Sequence, residues 1–149
     1  MALQQKIDQD IKSAMLNKDS SRLRGLRAIK AALLLAKTEK GASDIITEDA
    51  ELRVVQKLVK QRKESADIYQ AQNRPDLYQI EYEELQVIEA YLPKQMDRDA
   101  ITAHIKEVIA RTGASSMKDM GKVMGIVNKE LAGKADGKTI SEVVKELLA

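Results

Sequence analysis

The residues most capable of chemistry lie between Met117 and Lys138, MKDMGKVMGIVNKELAGKADGK. Glycines at 121, 125, 133 and 137 are interspersed there with lysines at 118, 122, 129, 134 and 138. Ammonium groups and exposed backbone N–H groups are what hold phosphate oxygens. Glycine inside a helix costs about 1 kcal/mol against alanine, so a helix carrying both Gly121 and Gly125 needs a reason. On a wheel of about 100° per residue with Gly121 at zero, Met117, Met120, Val123, Met124, Val127 and Leu131 share one apolar arc centred near about 260°. Lys118, Lys122 and Lys129 fall within about 40° of one another on the opposite side, with Gly121 and Gly125 on the shoulder beside them. Two readings stand open. A neighbouring helix packs tightly on the glycines while the lysines face water, or an anion approaches the bare backbone edge within reach of the ammonium groups.

Other chemistry has little to work with. The single histidine, His104, lies mid-helix in DAITAHIKEV, and the chain has no cysteine. A nucleophile–histidine pair and a His/Cys metal site are therefore not expected. Glu64 with Asp67, and Glu81 with Glu84, are carboxylate pairs on single helix faces, a pattern that solvated faces produce routinely, with no E-x-x-H beside them. Gly137-Lys138-Thr139 resembles the end of a P-loop, but no strand precedes it and the upstream glycine spacing fails. The GKADGK loop (133–138) joins one helix end to the next helix start. There Gly133 and Asp136 read as caps, and the backbone N–H groups that follow can also take a phosphate. No catalytic residue, metal ligand or cofactor is assigned.

The elements that must carry these residues are helical throughout. Apolar spacing predicts a first helix from Leu3 to Asn17 with Leu3, Ile7, Ile11 and Met15 inward. A second, capped by Asp19 or Ser20, carries Leu23, Leu26, Ile29 and Leu33 and stops at Gly41, with Lys37 and Lys40 in its last turn. Gly41 to Ile46 reads as a loop. Thr47 caps a third helix bearing Leu52, Val55, Leu58, Val59 and Tyr69 and ending near Asn73. Pro75 opens a fourth with Leu77, Ile80, Leu85, Ile88 and Leu92, closed by Pro93. Asp97 caps a fifth, with Ile101, Ile105, Val108 and Ile109, ending at Gly113. Ser116 caps the sixth, which Gly133 ends, and a seventh holds Ile140, Val143, Val144 and Leu147. The expected fold class is all-α and multihelical. It comprises two small subdomains, 1–93 with about four helices and 94–149 with about three.

The 149 residues carry a net charge of +2 and contain neither Phe nor Trp. Bases crowd Lys18 to Lys40, and the charges from Asp76 to Tyr91 are all acidic: Asp76, Glu81, Glu83, Glu84 and Glu89. Mutual neutralisation and two separate binding faces are both consistent with that, the acidic helix 76–91 then being a surface for a protein partner. No apolar run approaches the roughly 18 residues of a membrane span. A polar start and the lack of cysteine point to the cytoplasm.

The DMGKVMG (119–125) and GKADGKTISEVVKELL (133–148) segments, with RLRGLRAIKAAL (22–33) and IEAYLPKQM (88–96), carry a resemblance to the GatB/YqeY family. The chain resembles the C-terminal region of the B subunit of tRNA-dependent (Glu/Asp) amidotransferase, and more closely the stand-alone YqeY-like proteins. The resemblance covers essentially the whole chain. It implies two helical subdomains joined after the YLP segment, and tail helices that contact tRNA or another folded RNA. Carried onto this sequence, the implied RNA contacts are Lys118, Gly121, Lys122, Gly125, Lys129, Gly133, Lys134 and Lys138. The family label also implies carbon–nitrogen ligase activity with glutamine as amido donor. In the full enzyme that chemistry resides in a separate subunit and in a larger domain that this chain does not contain, so the label applies only within a complex. The expected role is a non-catalytic RNA-binding module, with a helical protein-interaction adapter as the alternative.

Overall fold

A computed structural model describes residues 2–39 and 46–149. The described residues form seven α-helices and one short 3₁₀ turn, with no strand. The helices are α1 (Leu3–Leu16), α2 (Ser20–Glu39), α3 (Glu48–Ala71), α4 (Pro75–Glu89), α5 (Arg98–Thr112), α6 (Met120–Glu130) and α7 (Gly137–Leu148). The turn, Met117–Asp119, immediately precedes α6. The fold is all-α and multihelical. It divides into two compact units, Met1–Leu92 and Pro93–Ala149. The expectations for Lys40, Gly41 and the loop after them lie outside the described residues.

In the N-terminal unit α1 to α4 pack around Ile7, Ala14, Leu26, Ile29, Leu33, Val55, Val59, Leu85 and Ile88. Local sequence sets the helix ends. The Asp19 carboxylate accepts the N–H of Arg22, and Thr47 Oγ1 accepts that of Ala50, each satisfying a donor that the first helical turn leaves free. Pro75 occupies the start of α4, where its missing N–H is not needed. The third helix closes at Ala71, two residues before Asn73, which has the positive φ of 56°. The fourth stops at Glu89, so Leu92 lies beyond it.

Two inward expectations are corrected. Met15 is 55% exposed and Ala14 is buried in its place. A strict spacing of four drifts about 40° per step around a helix, so after two steps the inward residue is the one three positions on. Ile80 is 44% exposed while Leu85 and Ile88 are buried. The side of α4 that meets α2 and α3 is set by that pair.

The opposite charges of this unit meet one another. Arg24 pairs with Glu83 and Glu84, Arg62 with Glu81 and Glu84, Lys63 with Glu89, and Arg74 with Asp76. All five acids between Asp76 and Glu89 thus have a basic partner. Glu81 and Glu84 hold the Arg62 guanidinium between them. Hydrogen bonds from Gln79 first, then from Ser21, hold the Glu83 carboxyl below its usual range. The Tyr91 hydroxyl, just past α4, donates to Asp10 on α1. Burial and that neighbouring carboxylate push the phenol up to about 12.

Candidate functional site

The C-terminal unit is built to present α6. Asp97 accepts the N–H of Ala100 at the start of α5, and Gly113 ends that helix in the left-handed region at φ 72°, a conformation that costs glycine little. Ile101, Ile105 and Val108 of α5 meet Val123 and Val127 of α6, and Ile140, Val143, Val144 and Leu148 of α7 complete the core.

The start of α6 differs from the sequence expectation. Ser116 caps the 3₁₀ turn, its hydroxyl accepting the N–H of Lys118, while Asp119 accepts the N–H of Ser115. These side-chain bonds favour a tight turn over continuation of the α-helix. Lys118 and Met117 therefore precede α6, and their wheel positions do not carry over. Met117, expected in the apolar arc, is 45% exposed.

From Met120 onward the wheel holds. Val123, Val127 and Leu131 are buried, Met120 and Met124 pack against the core, and Gly121, Lys122, Gly125 and Lys129 are exposed. Two glycines in an 11-residue helix cost about 2 kcal/mol together. Burying each aliphatic side chain contributes about 1.5–3 kcal/mol. Packing of the apolar face, and not helix propensity, therefore keeps α6 folded.

The glycines do not serve a neighbouring helix. A β-carbon built on Gly121 or on Gly125 meets no atom within 4 Å, and the same holds at Gly137. Of the two readings open in the sequence, close packing of another helix of the C-terminal unit on these glycines is thereby removed. What remains is a bare strip of backbone, bordered by Lys122 and Lys129. Among the described residues neither of those lysines has an ion pair or side-chain hydrogen bond, and the same is true of Lys118, Lys134 and Lys138.

The acid at the end of α6 is turned away from this strip. Glu130 accepts two hydrogen bonds from Arg111 Nη2, at 2.8 and 3.1 Å, and lies 2.7 Å from His104 Nε2. Arg111 first and then His104 hold its carboxyl below the usual range. The histidine thus serves a link between α5 and the end of α6. Sequence reasoning missed this cluster. The i, i+7 spacing of His104 and Arg111 on one side of α5 was its available signal.

The remaining site residues separate into surface and scaffold. Gly133 is buried with φ 74°, and its carbonyl accepts Gln95 Nε2 at 2.7 Å. The Lys134 carbonyl accepts the N–H of Met96 at 2.8 Å, while its side chain is exposed. The cap of α6 is Leu131, two residues before Gly133. Asp136 occupies the position before α7, but its carboxylate accepts the Thr139 hydroxyl and no backbone N–H. Lys138 is exposed in the first turn of α7.

The described residues contain no group of three or more His, Cys, Asp or Glu able to hold a metal ion, and no helix long and apolar enough to cross a membrane. The geometry is that of an all-helical protein with a lysine-bordered, glycine-bared helix face. The chain belongs to the family described as Yqey-like protein, whose profile it matches over residues 4–148. It is similar to proteins named altered inheritance of mitochondria protein 41, mitochondrial. The one from Meyerozyma guilliermondii is 30% identical, over 95% of this chain and 74% of the relative. The one from Pyrenophora tritici-repentis is 27% identical, over 96% and 79%. The one from Clavispora lusitaniae is 30% identical, over 88% and 77%.

Proposed function

We propose that the C-terminal unit is a non-catalytic module that docks on the sugar–phosphate backbone of a folded RNA, tRNA being the first candidate. The observation that carries this is the open glycine strip of α6 beside lysines that have no ion pair or side-chain hydrogen bond among the described residues. A helix that gives up about 2 kcal/mol of intrinsic stability, with no other part of the C-terminal unit occupying the space gained, has room for an outside surface to approach its backbone. The flanking ammonium groups favour an anionic one. The contact set is Lys118, Gly121, Lys122, Gly125, Lys129, Lys134 and Lys138. Buried Gly133 supports the loop and is left out. A helix does not enter the deep, narrow major groove of A-form RNA, so the loops or elbow of a folded RNA are the better target. The proposed setting is the cytoplasm, in keeping with a chain without cysteine. The fungal relatives are mitochondrial by name.

The test is tRNA binding as a function of salt, for the wild type and for Lys122→Ala/Lys129→Ala. Wild-type affinity should fall steeply with salt. The double variant should bind about tenfold more weakly, with a salt slope shallower by about 1.5, as expected for two lost phosphate contacts. Gly121→Ala/Gly125→Ala should weaken binding while stabilising the fold, a pairing of signs that a packing role for the glycines does not produce. Undetectable tRNA binding at low salt, or affinity indifferent to the lysine pair, defeats the proposal.

A further inference from the structure

A second surface, on the N-terminal unit, has a different chemistry. A groove runs between the end of α2 and the start of α3, lined by Ala36, Glu39, Ile46, Ala50, Arg53, Val54 and Lys57, with room for about 230 Å³. Its walls are mostly apolar, and Ala36, Ala50 and Val54 are all half-buried. Small side chains at two of those positions keep it open. From Ala50 to Lys57 the α3 wall is eight residues long, seven steps of rise or about 10 Å, two helical turns. That is the length over which a docked helix presents apolar anchors at i, i+3 or i+4, and i+7.

Charge selects the occupant. Arg53 and Lys57 stand one turn apart on the α3 rim, and Lys60 continues the row. All three are exposed, and none has an ion pair or side-chain hydrogen bond among the described residues. Elsewhere in this unit the bases of α2 and α3 mostly meet acids: Arg22, Arg24, Lys30, Arg62 and Lys63 are all in ion pairs. The opposite rim carries Glu39. Apolar walls with one basic rim and one acidic residue across from it match a helix with an apolar ridge, acids along one flank and a base on the other.

We propose that this groove docks an acidic amphipathic helix from a partner protein. The acids lie along Arg53, Lys57 and Lys60, and the opposite flank meets Glu39. The site is independent of α6, so it stands or falls apart from RNA binding.

The experiment titrates the full, isotope-labelled chain with a synthetic amphipathic helix of about 14 residues, or four turns. The peptide has Leu at i, i+3, i+4 and i+7 and Glu on one flank. A second peptide with Lys in place of Glu, and a single-stranded oligouridine, are run beside it. The acidic peptide should shift the amides of Ala36, Ala50 and Val54, while the Lys peptide should leave them in place. Arg53→Glu/Lys57→Glu, at two exposed positions, should weaken the acidic peptide at least about tenfold and confer binding on the Lys peptide. Unmoved groove amides, equal binding of the two peptides, or no exchange of preference in the reversed variant overturns the proposal. So does oligouridine shifting those amides in the wild type but not in the variant, since the row would then serve a polyanion.

Discussion

Gly25 and Gly121 both interrupt a helix, and the two units use them in opposite ways. A β-carbon on Gly25 would stand 2.7 Å from Cγ1 and 2.8 Å from Cβ of Val87, so its absence lets α2 and α4 close on each other. A β-carbon on Gly121 or Gly125 would meet nothing within 4 Å. Charge follows the same division. The N-terminal unit has fifteen basic and fifteen acidic residues, and the bases of α2 and α3 neutralise the acids of α4. The C-terminal unit has ten basic residues against eight acidic ones, so the whole net charge of +2 resides there. The first unit turns its helical glycine inward, to its own packing. The second leaves its helical glycines facing outward. An outward glycine lowers stability without improving packing, and that cost is the physical mark of a surface shaped for something else.

The largest expected effect comes from filling the inward glycine. Gly25→Ala forces Val87 and the α4 backbone to move, and overpacking of this kind costs about 1–3 kcal/mol, more than the helix propensity that alanine gains. All four tyrosines lie in the N-terminal unit, so tyrosine fluorescence during urea unfolding follows that unit. Adding Val87→Ala should recover part of the loss. A neutral Gly25→Ala would dissolve the contrast between the glycines.

The outward glycines should respond with the opposite sign. Gly121→Ala and Gly125→Ala should each stabilise the C-terminal unit by up to about 1 kcal/mol, seen as slower amide exchange along α6. A loss of stability at either position would mean that the face is covered.

These glycines also mark the limit of what the sequence could show. Helix identities were legible because Leu26, Ile29 and Leu33, or Ile101, Ile105 and Val108, repeat with the helical period. The caps were legible because Thr47 and Asp97 have the side chains that accept a first-turn N–H. The exposed lysines of α6 followed from its wheel. What surrounds a missing β-carbon was not legible, because it depends on elements distant in sequence. The same local pattern allows Gly121 to be packed or bare, and nothing local distinguishes Gly25, whose neighbour Val87 lies 62 positions away. The 3₁₀ turn before α6 escaped for a related reason. Ser116 and Asp119 were visible as caps, but their joint geometry, which removes Lys118 and Met117 from the helix, was not.

Acid–base behaviour sharpens the contrast further, with smaller effects. Glu51 of α3 is buried at 6% exposure, and one of its oxygens, Oε2, has no hydrogen-bond partner among the described residues. Burial first, and then the charge of Glu48, push its carboxyl above the usual range. A carboxyl raised in the folded state stabilises the fold most when protonated. Its contribution is complete below the unfolded pKa of about 4.3 and is lost as pH rises through the folded value. Glu51→Gln should therefore stabilise the N-terminal unit at neutral pH and match the wild type in acid. Urea midpoints by tyrosine fluorescence across pH measure this. A variant less stable than the wild type at neutral pH would mean that the charge has a partner after all.

The smallest effect is expected at Glu130, which is more accessible and held by Arg111 and His104. Its carboxyl lies below the usual range, so the linkage runs the other way. Its contribution is present above the unfolded pKa, near about 4.3, and is lost as pH falls through the depressed folded value. Exposure and salt screening keep such a pair weak. Glu130→Gln should lower the stability of the C-terminal unit slightly at neutral pH, converge with the wild type in acid, and lose most of its effect in high salt. His104, the single histidine, gives ring resonances that report this unit alone. At neutral pH the two Glu→Gln changes should therefore move their own units in opposite directions, a gain at Glu51 where burial opposes the charge and a loss at Glu130 where partners hold it. If both substitutions moved stability the same way, the two units would not differ in how they hold charge, and the division between an inward-directed and an outward-directed half would rest on the glycines alone.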